Sequence, residues 1–145
     1  MTTHDQQTTE QWQMQFTSSP KSVSLVRKQV AKALASWGYA TDDVDRTLLI
    51  CSELATNAVQ HGHRPGHLFE VRVTTTDTTC LVEVSDPEPR TPRAVSAEVE
   101  EEHGRGLRLV AALAEATGHR PRRPFGKTVW ARLMLDDPKE DRCTN

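Results

Sequence analysis

Two alternating runs, Leu68 to Thr75 and Cys80 to Val84, flank Thr76-Asp77-Thr78. Alternation with period two predicts strands with one buried face, and a short polar link between two such runs folds them into a hairpin. A hairpin commits part of the sheet to antiparallel pairing. Trp12, Met14 and Phe16 alternate with glutamines and predict a further half-buried strand. Thr128 to Leu135 predicts another, with Val129, Ala131, Leu133 and Leu135 on one face.

Two amphipathic helices are expected between the first strand and the hairpin. Ser19 at the N-cap and Pro20 in the first turn open one of them. Val23, Val26, Val30, Leu34 and Trp37 recur along it at steps of three or four, and Gly38 ends it. The second begins at Thr41, with Asp42 and Asp43 at the positive end of the helix dipole. Val44, Leu48, Cys51, Ala55 and Ala58 form its inner stripe, and Gly62 closes it. A third helix is expected over Leu107 to Ala116. This order lacks the βαβα alternation of a doubly wound sheet. It predicts an α+β fold: a two-layer α/β sandwich whose mostly antiparallel, mixed sheet is covered on one face by about three helices.

A length of 145 residues suggests one domain, expected over 12–135, with a polar tail at 1–11 and a charged tail at 136–145. Asp86 to His103 is rich in proline and acid and reads as a long irregular loop, with a helical turn at Glu98 to Glu102. The basic cluster His119 to Arg123, broken by Pro121, reads as a solvated loop. A net charge of −2 argues against a duplex nucleic-acid binder. The three cysteines, Cys51, Cys80 and Cys143, are odd in number and widely spaced, which reads as free thiols in a reducing compartment. No apolar run approaches the roughly 18 residues of a membrane span, and the N-terminus lacks the charge and apolar run of a signal peptide. A cytoplasmic protein is expected, with no direct nucleic-acid contact and no membrane.

The second helix carries Glu53, Asn57 and His61 at steps of four, on one face bordering the apolar stripe. Singly they read as a surface carboxylate, an Asn near a helix end and a His beside the dipole. Asn is a mediocre helix former, however, and its amide oxygen is a hard ligand suited to Mg²⁺. A carboxylate one turn away is placed to take a proton from an attacking hydroxyl. Asp86 ends a strand, where it either accepts a hydrogen bond from an exocyclic amine such as adenine's or marks a turn before proline. Gly104-Arg105-Gly106-Leu107 reads either as a plain loop or as a phosphate seat, since glycines let the backbone approach an anion and the following helix offers free N–H groups. Gly126-Lys127-Thr128 resembles the end of a Walker A loop, but Pro121 stands where the first glycine belongs and a strand follows instead of a helix. It can still line a pocket. His61, His63, His67 and His103 match no standard zinc spacing.

Taken in order, these segments resemble the GHKL proteins, named for gyrase, the heat-shock chaperone, histidine kinases and the mismatch-repair ATPase. Glu53-Leu-Ala-Thr-Asn57-Ala-Val-Gln-His61 is similar to their N box. Asp86 falls where the first glycine box begins, Gly104 to Leu107 resembles the second, and Gly126 to Thr128 the last. The forms Glu-Leu-x-x-Asn-Ala and Gly-Arg-Gly-Leu look most like the stand-alone anti-sigma-factor serine kinases. The resemblance implies an ATP-dependent protein serine/threonine kinase. It implies Asn57 on Mg²⁺, Glu53 as general base, and Asp86 on the adenine amine with Thr128 in support. His61 and Gly104 to Leu107 would complete the nucleotide site. The implied partners are a sigma factor and an anti-sigma-factor antagonist whose serine is phosphorylated, and homodimers are usual. One departure stands out: the first glycine box reads Asp86-Pro87-Glu88-Pro89-Arg90, with two prolines and no glycine. It motivates the alternative of a catalytically inactive regulatory binding module with the GHKL fold.

Overall fold

In a computed structural model of the chain, residues 9–89 and 108–136 are described. The elements are β1 (Glu10–Thr17), α1 (Pro20–Ser36), α2 (Thr41–His61), β2 (Leu68–Thr75), β3 (Thr79–Asp86), β4 (Ala116–Pro121) and β5 (Lys127–Met134). A further helical segment covers 108–113. The five strands form one sheet in the order β1-β2-β3-β5-β4, and every neighbouring pair is antiparallel. This is the expected α+β arrangement. The predicted turn at Glu98 to Glu102 lies outside the described residues, and no described helix is long and apolar enough to cross a membrane.

Register decides which side chains meet the helices. Phe16 stands opposite Phe69, Val71 opposite Val84, and Val84 opposite Val129. Successive strand residues point to opposite faces, so these residues and their neighbours two positions away share one face. On it, Val71, Val82 and Leu133 are fully buried against Val30, Leu34 and Leu54 of the helices. Burying side chains of this size contributes about 1.5–3 kcal/mol each.

The helices keep their predicted limits. Ser19 is the N-cap of α1, but its backbone oxygen, not its hydroxyl, meets the first turn by accepting from the Ser22 N–H at 3.0 Å. After Trp37, Gly38 takes φ +82, a left-handed conformation that favours glycine. The buried face of α2 differs from expectation. Asp43, Thr47, Ile50 and Leu54 join Cys51, Ala55 and Ala58, while Val44 and Leu48 are only partly covered. Asp43 does not simply face solvent beside the dipole. It is fully buried, accepting from Arg46 Nη2 at 2.5 Å and from the Asp136 backbone N–H at 2.9 Å. The chain leaving β5 therefore satisfies a carboxylate that would otherwise be costly to bury.

The C-terminal part departs most. The helix expected over Leu107 to Ala116 covers 108–113 among the described residues, and Ala116 instead starts β4. The cluster His119 to Arg123 is not a solvated loop: His119 to Pro121 lie in β4, and Arg122 and Arg123 lie in the turn that follows. Cross-strand chemistry overrides the weak local pattern. Arg120 Nη2 donates to Glu83 Oε2, and Arg122 Nη2 donates to Glu70 Oε1 at 2.7 Å. Gly118 admits the Trp130 ring, whose Cζ2 lies 2.6 Å from where a Cβ would stand.

Candidate nucleotide site

Helix α2 presents Glu53, Asn57 and His61 on one face, all half-buried beside the core residues Leu54 and Ala58. The helix ends at Gly62, whose N–H donates to the Ala58 carbonyl at 2.9 Å. Gly62 has φ −103, which any residue can adopt, so conformation does not require glycine there. Space does. A Cβ on Gly62 would lie 2.2 Å from Asp86 Cγ and 2.3 Å from Oδ2. The end of α2 is thus pressed against the carboxyl of Asp86, the last residue of β3.

Asp86 is only 4% exposed. Its Oδ1 accepts from Lys127 Nζ at 3.0 Å and from the Glu88 backbone N–H at 2.9 Å. Lys127 is 5% exposed and also donates to the Glu88 carbonyl at 3.0 Å. Burial raises the Asp86 pKa above its ordinary value, and the Lys127 ammonium partly offsets this. On the other side Gly126, at φ +95, packs on the Asp86 backbone, its absent Cβ 2.2 Å from the carbonyl oxygen. Two glycines from distant segments therefore clasp this one aspartate.

Register separates Lys127 from Thr128. Lys127 pairs with Asp86 and shares its helix-facing side. Thr128 pairs with Ser85 on the opposite face, where the two hydroxyl oxygens lie 2.7 Å apart. The structure thus gives Asp86 a different neighbour from the threonine first paired with it. Lys127 was missed as an Asp86 partner, although a signal was present: Val129, Ala131 and Leu133 face inward, and Lys127 has the same parity. The predicted phosphate seat, Gly104, Arg105, Gly106 and Leu107, lies outside the described residues.

The arrangement suits a purine and a hard cation. Asp86 is a buried acceptor at a strand end, packed so closely on Gly62 that no side chain fits between the helix end and the carboxyl. Asn57 and Glu53 offer oxygen donors one turn apart, fitting Mg²⁺ that keeps waters and phosphate oxygens. Among the described residues no three His, Cys, Asp or Glu side chains are grouped to hold a metal by themselves.

A family model described as the histidine kinase-like ATPase domain matches residues 16–133. The chain belongs to that family. Among curated proteins it is similar to the serine-protein kinase RsbW of Bacillus velezensis, 33% identical over 61 residues, which is 42% of this chain and 38% of that protein. The Bacillus licheniformis serine-protein kinase RsbW is 31% identical over the same shares. The chain thus spans well under half the length of these relatives. Among solved structures, the RsbU and RsbW domains of Rv1364c from Mycobacterium tuberculosis align with TM-score 0.67 and 19% identity, covering 87% of this chain and 32% of that one. The fold is shared, and the resemblance to GHKL proteins of the anti-sigma kinase group read from the sequence is borne out.

Proposed function

We propose that this chain binds ATP with Mg²⁺ and phosphorylates a serine of an anti-sigma-factor antagonist, and that it sequesters a sigma factor, acting as a cytoplasmic homodimer. The observation that carries the reading is the seating of the Asp86 carboxyl against Gly62, at the end of the helix face that bears Glu53, Asn57 and His61. The naming of its curated relatives as serine-protein kinases supports it. Asp86 accepts from the adenine amine. Asn57 offers its amide oxygen to the cation, and His61 lies one turn further along the same face, at the nucleotide. Glu53 accepts the proton of the incoming serine hydroxyl. Gly104 to Leu107 hold phosphates at a helix start, and Thr128 supports the site indirectly through the β3–β5 seam. Bound MgATP supplies the phosphoryl group and the charge neutralisation for its transfer.

Calorimetric titration of ATP with and without Mg²⁺ tests this, alongside Asn57→Ala and Asp86→Asn. Saturable Mg²⁺-dependent binding that both variants lose supports the site. Undiminished binding in both variants, with intact melting curves, overturns it.

A second reading is favoured by the Lys127–Asp86 pair and the glycine-free stretch after Asp86. Adenine must share Asp86 with a resident buried cation. In that reading the chain is a regulatory binding module with no kinase activity, distinguished by tight partner binding without phosphate transfer when ATP is bound.

A further inference from the structure

The proposed nucleotide chemistry assigns no role to the basic cluster His119 to Arg123. Arg120 pairs in register with Thr128, on the sheet face away from the helices. There Arg120, Arg122 and Arg123 meet Arg72 of β2 around a cavity of about 250 Å³. Glu70 and Glu83 also line it. The whole chain carries a net charge of −2, so this concentration of guanidinium groups is local.

The two glutamates engage only two of the four arginines, Arg120 with Glu83 and Arg122 with Glu70. Arg72 donates through Nε to the neutral Gln13 amide oxygen at 3.0 Å. Arg123 makes no ion pair among the described residues and is exposed. Among the described residues the cavity therefore holds an excess of positive charge, with two arginines in no ion pair. Ser85 and Thr128, both buried, contribute a hydroxyl pair to the lining; one hydrogen bond joins them and leaves the second O–H to donate.

A second cavity, of about 280 Å³, shares Arg122 and Arg123 with the first. Its character is different. His67 and Phe125 meet edge to face with ring centroids 5.4 Å apart, and Leu68 and Pro124 stand beside them. Leu68 is 47% exposed and Phe125 49%. The two cavities adjoin at Arg122 and Arg123, one lined by guanidinium groups and the other carrying the apolar side chains beside Gln15 and Asp86; together they are treated as one groove.

We propose that this groove is an interaction surface for an acidic segment of a protein partner, one in which carboxylates flank an apolar side chain. The arginine forks match carboxylates in planar two-bond geometry. The apolar half takes the side chain between them. The arginines are spread along β2, β4 and the following turn, and the guanidinium-lined cavity adjoins an apolar one, which favours an extended segment over a compact phosphate. The guanidinium-lined cavity lies on the sheet face opposite Lys127 and the helices, whereas the second cavity also touches Asp86 and Pro87 and so borders the proposed nucleotide site. The peptide test is therefore run without nucleotide, so that its outcome does not depend on ATP binding.

The test is fluorescence anisotropy of the full chain with a labelled peptide in which paired glutamates flank a leucine on both sides. Controls are the same peptide with glutamines and unlabelled inorganic tripolyphosphate as competitor. The Arg72→Gln/Arg123→Gln double variant leaves all four residues of the two ion pairs in place and adds no carboxylate opposite Glu83, and circular dichroism checks that it remains folded. Saturable binding of the acidic peptide is expected, weakened at least about tenfold in the double variant and by raised salt, with no binding of the glutamine peptide. Equal binding by the folded double variant, or no binding of the acidic peptide, overturns the proposal. Complete displacement by tripolyphosphate at equal concentration overturns it in favour of a small phosphate ligand.

Discussion

Gly62 and Asp86 are in contact across the end of α2, so close that a methyl group on Gly62 would stand 2.2 Å from the Asp86 carboxyl carbon. The contact couples a helix terminus to a buried acceptor 24 positions later, and neither the φ of Gly62 nor its helix-ending role demands it. Gly62→Ala is expected to destabilise the protein by about 1–3 kcal/mol, through overpacking, and to weaken ATP binding as Asp86 is displaced. Urea unfolding and ATP titration read the two effects. Unchanged stability and affinity would remove Gly62 from the site.

Lys127 and Asp86 form a buried ion pair, Nζ to Oδ1 at 3.0 Å. Burial raises the Asp86 pKa even with Lys127 beside it. A carboxyl whose folded pKa exceeds its unfolded one binds its proton more tightly when folded. Its contribution to stability is therefore fully present below the unfolded value, about 3.9, and is lost as pH rises through the folded value. Lys127→Met removes the offsetting charge and extends that loss to higher pH. The variant is expected to be about 3–5 kcal/mol less stable near neutrality, with the deficit narrowing toward pH of about 4. Unfolding curves across a pH series check this; a pH-independent deficit would count against Asp86 as the responsible group.

Glu53 is half-buried on α2 and belongs to no ion pair among the described residues. Glu53→Gln preserves size and hydrogen bonding while removing the basic oxygen. Phosphate transfer to the antagonist is expected to fall at least about a hundredfold, with ATP affinity and melting temperature little changed. A radiolabel transfer assay beside calorimetry separates the two, and undiminished transfer would eliminate Glu53 as the base.

Cys51 and Cys80 face each other across the α2–β3 packing, both free and buried. Burial pushes the Cys51 thiol far up and the Cys80 thiol to about 12. Both should therefore alkylate at least about a hundredfold more slowly in the native protein than in urea at mildly alkaline pH. Mass mapping of the two cysteine-containing peptides after a timed iodoacetamide pulse measures this. Rapid native labelling of either peptide would contradict the packing.

Asp43 is a buried carboxylate tied to Arg46 and to the Asp136 N–H. Asp43→Ala strands the Asp136 N–H and leaves Arg46 with the Met134 carbonyl at 3.0 Å, and a loss of about 3 kcal/mol is expected for breaking a buried pair, read by urea unfolding. A change below about 0.5 kcal/mol would mean that water replaces the carboxylate there.

Local periodicity determined much of this protein by itself. The alternation around Thr76-Asp77-Thr78, the apolar spacing in α1 and α2, and the inward parity of Val129, Ala131 and Leu133 are properties of consecutive residues, and each produced its element. The placement of Glu53, Asn57 and His61 on one helix face follows from the same arithmetic. Strand β4 was not legible because no alternation marks His119 to Arg123. It is held by partners 37 and 52 positions away, Glu83 for Arg120 and Glu70 for Arg122. The burial of Asp43 waited on the chain beyond β5, and the need for glycine at position 62 waited on Asp86. Sequence determines what each segment can be when one of its faces is covered. Only tertiary structure decides which distant charge or atom does the covering, because desolvation and close contact act between residues that the chain itself holds far apart.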